Sequence, residues 1–401
     1  MSERLLILSL CVAEVLGMLG ISTFPALLPT LQAEWGLSNA QAGWITGVYY
    51  GGYMCAVPVL VGLTDRVDAR GIYLVSTALA GLGLLGFAVL AEGFWSALVF
   101  RAIAGVALAG TYMPGLKALT DRIAGAAQPR AVAFYTSSFG IGVSASFLFS
   151  GEVAEAMSWQ WAFGISAVGA PVAILLAGRA LAARPASVHP APETHLLDFR
   201  PVFRNRPALA YILAYTAHNW ELFGVRGWLV AFLVFSQTLQ PEYSGWSATW
   251  IATAVTLLGV PASIVGGECA LHFGRRRVVM AVMTTSALFA VTIGFTAALP
   301  FPVIVVLALV YAPFIAGDSA AITTGAVRAA PEGGRGAVMA MHSFIGFAGA
   351  FTGPLAFGVV LDVFGAGTPL GWGLAFATLG LAVFMGPVVL ALMARGRPGG
   401  G

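Results

Sequence analysis

Five ionisable side chains stand inside stretches that are otherwise apolar: Glu14, Arg101, Glu221, Arg226 and Asp318. A charge at the centre of a membrane costs about 2.5–3.5 kcal/mol on insertion scales, so each must face water or a partner. The densest stretch is His218-Asn219-Trp220-Glu221-Leu222-Phe223-Gly224-Val225-Arg226-Gly227. It has an echo 207 residues earlier, in Ala13-Glu14-Val15-Leu16-Gly17-Met18-Leu19-Gly20. Both copies read Glu, two apolar residues, Gly, two more residues, Gly. A carboxylate that moves between a wet and a dry environment can take up a proton near neutral pH, because desolvation disfavours its charged form. Glu14 and Glu221 are therefore the leading proton-coupling candidates, with Asp318 the third.

The neighbours of Glu221 divide by angle. Arg226 is five residues on, about 140° around a helix at 100° per residue. It is not a same-face partner and reads as a ligand for substrate or for another helix. His218 is three residues before Glu221, within side-chain reach, so a His218–Glu221 hydrogen bond competes with a substrate role. Asn219, Trp220, Arg101, Tyr49 and Tyr53 complete the substrate-binding candidates. The aromatic ones, with Tyr50, could wall a cavity, although aromatics in such helices also pack and anchor. Asp318 lies among small residues, where a packing hydrogen bond competes with a cavity role. His342 reads as more structural than functional.

A metal reading is also open. Cys11-x-x-Glu14 falls on His218-x-x-Glu221, and Met18 continues the first face. Cys, His and Met are soft or borderline ligands, which would suit a copper-like transition-metal importer. Paired Met-x-x-x-Met spacing is missing, and the three cysteines, Cys11, Cys55 and Cys269, form no knuckle. No nucleophile–base pair or metal triad suggests an enzyme. The lack of a Gly-Lys phosphate motif excludes ATP as the direct energy source.

The elements that must position these groups follow from composition. The 401 residues are 59% hydrophobic and 9% charged, against about 25% charge in soluble domains. A spanning helix needs about 20 apolar residues. Twelve such stretches fall near 5–31, 40–63, 71–92, 96–120, 131–151, 159–183, 207–236, 245–270, 278–298, 302–325, 336–361 and 370–393. The first is too long for a signal peptide and lacks a cleavage site. The long polar break, 184–206, carries Arg184, His189, His195, Arg200, Arg204 and Arg206 and divides the chain into six plus six. With the N-terminus inside, 18 of the 20 basic residues fall at the cytoplasmic side, from Arg4 to Arg397. The outer loops hold Glu34, Glu92, Glu152, Glu155, Glu242 and Asp362 and no Lys or Arg, as the positive-inside rule requires. Both termini are expected in the cytoplasm.

The repeat extends beyond the opening echo. Arg130 to Phe139 parallels Arg335 to Phe344, and Trp159-Gln-Trp-Ala-Phe163 parallels Trp372-Gly-Leu-Ala-Phe376. Asp65-Arg66-Val67-Asp68-Ala69-Arg70 parallels Leu271-His272-Phe273-Gly274-Arg275-Arg276. Two like-oriented halves imply a pseudo-two-fold along the membrane normal with a site between them.

These features resemble the major facilitator superfamily. Its loop-two signature, Gly-x-Leu-x-Asp-Arg-x-Gly-Arg-Arg, is matched in part by Val61-Gly62-Leu63-Thr64-Asp65-Arg66-Val67-Asp68-Ala69-Arg70, where the Leu, Asp-Arg and last Arg agree and the glycines do not. The second copy keeps Gly267 and Gly274-Arg275-Arg276 but has Leu271 in place of the Asp. The span-four signature matches Arg101-Ala-Ile-Ala-Gly105. The Gly-Pro pair that drug–proton antiporters of the family carry in span five is missing here, and Gly353-Pro354 in span eleven only mirrors it. The nitrate-branch signature is missing too.

The resemblance implies an all-α integral membrane fold of twelve transmembrane helices in two pseudo-symmetric six-helix bundles, 1–183 and 207–401, joined by a cytoplasmic linker at 184–206. It implies a secondary active transporter working by alternating access, driven by protons, as symport or antiport. Spans one, four, seven and ten would line the cavity, and Glu14, Arg101, Glu221, Arg226 and Asp318 fall on them. Arg101 would hydrogen-bond backbone or a carboxylate within the first half. Asp65, Arg66, Arg70, Arg275 and Arg276 would form a charge cluster that makes and breaks between states. No cofactor and no nucleic acid is expected. The partners are a small-molecule solute, protons and the lipid bilayer of the inner (plasma) membrane, with the chain a monomer. The rival of another class is a non-transporting receptor or assembly factor, which charges on all four cavity spans oppose.

Overall fold

The computed structural model describes residues 2–183, 200–331 and 334–393, and every regular element among them is helical. Most of the predicted linker, with Arg184, His189 and His195, lies outside the described residues, as do Arg395 and Arg397. The helices run α1 Glu3–Met18, α2 Thr23–Ala26, α3 Leu28–Trp35, α4 Asn39–Leu63, α5 Ala69–Leu90, α6 Phe94–Thr120, α7 Gln128–Ala156 and α8 Trp159–Ala180. They continue with α9 Arg200–Arg204, α10 Arg206–Thr238, α11 Ala248–Phe273, α12 Arg275–Ile293, α13 Phe301–Ala316, α14 Ser319–Ala329, α15 Arg335–Phe364 and α16 Pro369–Met393.

Ten stretches are long and apolar enough to cross a membrane among the described residues, α13 and α14 counting as one. The other two expected spans are polar or broken. In α10, His218, Asn219, Glu221 and Arg226 dilute a 33-residue helix. The first span is not one helix: it stops at Met18 and resumes at Thr23 and Leu28. Gly17 and Gly20 weaken the helix before the break, and Pro25 and Pro29 withhold backbone donors after it.

By contacts the chain forms two compact units. Unit 1 comprises Met1–Leu37, Val48–Pro192 and Thr249–Leu257, and unit 2 comprises Ser38–Gly47, Glu193–Ala248 and Leu258–Gly401.

In unit 1 the break in the first span is closed by hydroxyls from α7 and α8. Leu19 O accepts from Ser146 Oγ at 2.6 Å and from Ser166 Oγ at 3.3 Å. The Ser22 amide donates to Ser146 Oγ at 2.9 Å, and the Thr23 and Ser150 hydroxyls share a 2.8 Å bond. Lipid offers no substitute for these partners, so the hydroxyls are what make the break tolerable. Close packing supplies the rest, because tails as apolar as leucine leave no hydrophobic drive between helices. The core joins Leu6, Leu10 and Ala13 of α1 to Tyr73, Tyr135, Ala173 and Ala177. A Cβ on Gly105 would lie 1.8 Å from Tyr49 O, so α4 and α6 touch backbone to backbone.

In unit 2, the expected tenth span, 302–325, is broken, and Asp318 occupies the junction between α13 and α14. Pro313 lacks the amide that the preceding turn needs, and its carbonyl takes the Gly317 amide at 2.9 Å. A Cβ on Gly266 of α11 would lie 1.7 Å from Gly317 O, which fixes the junction against α11.

The two units repeat one fastening. Arg70 at the start of α5 donates to Gly178 O near the end of α8 at 3.1 Å. Arg276 at the start of α12 donates to Ala391 O near the end of α16 at 3.3 Å. These arginines are the pair that the aligned sequence copies match.

Candidate functional site

Unit 1 carries a carboxylate and a guanidinium, both 1% exposed. Glu14 Oε2 accepts from Tyr135 Oη of α7 at 2.7 Å, and the same hydroxyl lies 3.3 Å from Thr111 O. Glu14 Oε1 has no hydrogen-bond partner among the described residues. Arg101 of α6 donates through Nη1 to Ile21 O at 3.3 Å, a carbonyl freed by the broken first span. Its guanidinium carbon lies 4.3 Å from the centre of the Tyr49 ring and 6.0 Å from that of Phe24. Nε and Nη2 are buried and without hydrogen-bond partners among the described residues. Beside this group a small pocket is lined by Met18, Ile21, Tyr49, Leu84, Leu108 and Thr111, among others.

In unit 2 the residues around Glu221 face two ways. Glu221, 1% exposed, accepts on Oε1 from Ser286 Oγ of α12 at 2.8 Å and from Tyr311 Oη of α13 at 2.6 Å. His218 turns to the other side. Its Nδ1 approaches Asp318 Oδ1 to 2.8 Å, with both side chains at most 2% exposed. The approach is short, yet neither atom has an aligned hydrogen bond among the described residues. The ring of Tyr215 stacks on His218 at 5.7 Å and on His342 at 4.0 Å. His342 Nε2 reaches Thr323 Oγ1 at 3.4 Å.

Several expectations change here. The His218–Glu221 hydrogen bond is not made: His218 takes Asp318, and Glu221 takes Tyr311 and Ser286. The 60° between positions three apart is enough to send the two side chains to different neighbouring helices. Arg226 is half-buried, with its guanidinium 5.4 Å from the Phe223 ring centre. Asn219 is buried beside Gly346, and Trp220 is half-buried with its indole nitrogen unbonded. Tyr49 and Tyr53 are buried, Tyr49 against Arg101 and Tyr50. Cys11 is half-buried on α1, and Met18 packs against Gly142 of α7. Among the described residues no three His, Cys, Asp or Glu side chains converge as metal ligands would.

At the ends of the helices, Asp65 and Arg66 are exposed. The ion pair of that turn belongs to Asp68, which meets Arg122 Nη2 at 2.9 Å and caps α5 through the Arg70 amide at 3.0 Å. Tyr135, Tyr311, Ser286 and the Asp68–Arg122 pair were missed from sequence. A usable signal existed for the tyrosines, since a tyrosine hydroxyl inside an apolar span needs a polar partner, and the buried carboxylates are few.

Residues 10–249 match the family model described as Major Facilitator Superfamily. A putative metabolite transport protein of Haemophilus influenzae is 24% identical over 268 residues, covering 62% of this chain and 63% of the relative. A probable sphingolipid transporter, spinster homolog 1, of Arabidopsis thaliana is 24% identical over 146 residues, covering 36% of this chain and 30% of the relative. The chain thus spans less than two thirds of the length of either relative. A crystal structure of the nucleoside transporter NupG superposes with a TM-score of 0.76 at 14% identity, over 98% of this chain and 99% of that one.

Proposed function

The chain belongs to the major facilitator superfamily, and we propose that it carries a small solute across the membrane by alternating access, with protons as the driving ion. Glu221 is the principal proton carrier in this reading, with Glu14 its counterpart and Asp318 a third acidic group. Arg226, His218, Asn219, Arg101, Tyr49, Tyr53 and Trp220 are the solute-contact candidates. The observation that carries the reading is the pair of fully buried carboxylates, one in each repeat at matching positions, each held by a tyrosine hydroxyl. A buried charge is costly in a membrane protein and marks pathways and proton relays. The metabolite-transport relative is consistent with a small-molecule cargo. Both termini would face the cytoplasm of a plasma membrane, as the basic side chains require.

Glu221→Gln tests the assignment, because glutamine has nearly the same shape and never carries the charge. In proteoliposomes supplied with a panel of labelled carboxylates, nucleosides and amino acids, the variant should still exchange solute across the membrane. Accumulation driven by a pH gradient, and its dependence on pH, should vanish. Glu14→Gln should give a milder loss, since its helix carries Leu19 where the other carries Arg226. Wild-type accumulation with wild-type pH dependence in Glu221→Gln sinks the proton assignment. Loss of all binding makes Glu221 a solute ligand instead.

A further inference from the structure

Basic side chains at the helix ends of unit 1 are engaged within it. Arg122 pairs with Asp68 at 2.9 Å and donates to Ala182 O at 2.6 Å, Lys117 pairs with Asp121 at 3.2 Å, and Arg70 donates to Gly178 O. At the corresponding end of unit 2, arginines gather without acids. Tyr211 of α10 and Val278 of α12 pack on one core with Ile322 of α14, and a Cβ on Gly325 of α14 would run into the Tyr211 ring. Arg275 stands three residues before Val278 and Arg328 three after Gly325, positions that share a helix face. Arg275 lies within electrostatic reach of Arg328 and Tyr211, and Tyr211 within reach of Arg276. Asn205 Nδ2 donates to Ala329 O at 2.6 Å, which brings the flanking Arg204 and Arg206 to the same end of α14. Among the described residues, Arg204, Arg206, Arg275, Arg277 and Arg328 make no ion pair. The Nε atoms of Arg275 and Arg276 are buried without hydrogen-bond partners among those residues. Arg275 is half-buried and Arg204, Arg206, Arg277 and Arg328 are exposed, so a ligand reaches them without a cavity. No side chain caps α12, whose N-cap is Gly274, so its first amides lack acceptors too. Just before Gly274, Leu271 and Phe273 are 60% and 68% exposed.

We infer that this end of unit 2 is a headgroup site for an anionic phospholipid, with the phosphate taken by Arg275 and Arg328 and an acyl chain lying along Leu271 and Phe273. Like charges held together by packing repel, and an anion shared between them removes the repulsion. The guanidinium fork matches phosphate oxygens two at a time, and an uncapped helix start adds backbone donors. Basic pockets between spanning helices take such headgroups. A free phosphate would answer the arginines alone; an amphiphile also covers the exposed Leu271 and Phe273. The expected orientation puts this end at the cytoplasmic leaflet, whose anionic lipids attract basic segments. A role in orienting the chain accounts for the sign of these residues, but not for their grouping around Tyr211 or for the contrast with the paired residues of unit 1. The site holds no solute and stands whether or not the chain transports one.

The test uses the purified full-length protein in a neutral detergent and thermal shift, because a ligand that binds the native state raises its stability. The probes are dioleoyl phosphatidylglycerol, dioleoyl phosphatidylcholine as the zwitterionic match with the same chains, and inorganic phosphate. Phosphatidylglycerol should raise the melting temperature above its value in phosphatidylcholine, and added salt should shrink the rise. Inorganic phosphate at the same concentration should give a much smaller rise. Arg275→Gln combined with Arg328→Gln should remove about half of the phosphatidylglycerol effect or more. Arg130→Gln combined with Arg179→Gln takes the same charge from exposed positions of unit 1 and should keep the effect whole. Arg204→Gln combined with Arg206→Gln reads the same site from exposed positions, should the first double variant fail to fold, and should also lower the effect. A melting temperature no higher in phosphatidylglycerol than in phosphatidylcholine overturns the site. An effect that the unit 1 variant loses as fully as the unit 2 variants overturns it as well, since the lipid would then answer net charge alone. An equal rise from inorganic phosphate makes this a free-anion site and sinks the lipid.

Discussion

Unit 1 and unit 2 bury the same residue in the same sequence frame and surround it differently. Glu14 receives one hydroxyl, from Tyr135, and keeps its other oxygen unbonded. Glu221 receives two, from Tyr311 and Ser286, on a single oxygen. The helices that supply these donors also differ: α7 for Glu14, α12 and α13 for Glu221. The charges nearby diverge further. At the offset of 206 residues that relates Arg70 to Arg276, Arg101 faces Leu307, and Asp318 faces Tyr112. Unit 1 is left with an unpaired cation, and unit 2 with an acid beside His218. The repeat therefore preserved the backbone frame and the glutamate while the electrostatic surroundings specialised. On the transport reading above, Glu221 of unit 2 is the better held of the two proton carriers.

The largest expected effect lies in the group that unit 1 lacks. Removing one member of a buried polar pair leaves the other unsatisfied and destabilises by about 3 kcal/mol. Asp318→Ala should lower the melting temperature of the purified protein accordingly. The double variant His218→Leu with Asp318→Leu should recover most of the loss, because both polar groups are then gone. A single variant as stable as wild type would show that the 2.8 Å approach contributes nothing, and the contrast between the units would then rest on Arg101 alone.

The next effect compares the glutamates directly. Tyr135→Phe takes away the one hydroxyl that Glu14 accepts, leaving a buried acceptor unsatisfied, at about 2 kcal/mol. Tyr311→Phe leaves Ser286 in place and should lower stability by about 1 kcal/mol. Chemical unfolding of the two variants side by side reads the difference. Equal losses would mean that the second donor on Glu221 is redundant and that the two surroundings are energetically alike.

The frame was legible in the sequence, and the pairings were not. Hydropathy and one-sided basic charge gave the helical membrane fold, because both are properties of stretches that no tertiary contact can reverse. The echo around Glu14 and Glu221 located two of the three buried carboxylates for the same reason. The break in the first span was signalled by Gly17, Gly20, Pro25 and Pro29, yet a continuous apolar run concealed it, since lipid exposure says nothing of backbone continuity. The choice of His218 for Asp318 over Glu221 depends on rotations of 60° and on a junction at Gly317, which a linear spacing rule does not resolve. In the turn before α5, two aspartates three residues apart both offered a partner, and the family signature pointed to Asp65 where the ion pair uses Asp68.

That turn gives the smallest and most discriminating comparison. Asp68 caps α5 and meets Arg122, whose side chain is 6% exposed. At the matching place in unit 2 stands Gly274, with φ at +89°, which offers neither a cap nor a charge. Asp68→Ala should therefore destabilise by about 1 kcal/mol, through the lost cap and the partly screened ion pair. Asp65 is exposed, and exposed substitutions away from such features change stability by no more than about 0.5 kcal/mol. If Asp65 instead belongs to a state-dependent charge cluster with Arg66 and Arg70, its signature is kinetic. Asp65→Asn should keep the melting temperature, slow flux in proteoliposomes and shift cysteine accessibility toward an inward-open state. A melting temperature lowered as far as in Asp68→Ala would make Asp65 a structural residue. Unchanged flux and accessibility would reduce it to a determinant of topology, leaving the stability of this turn to Asp68 alone.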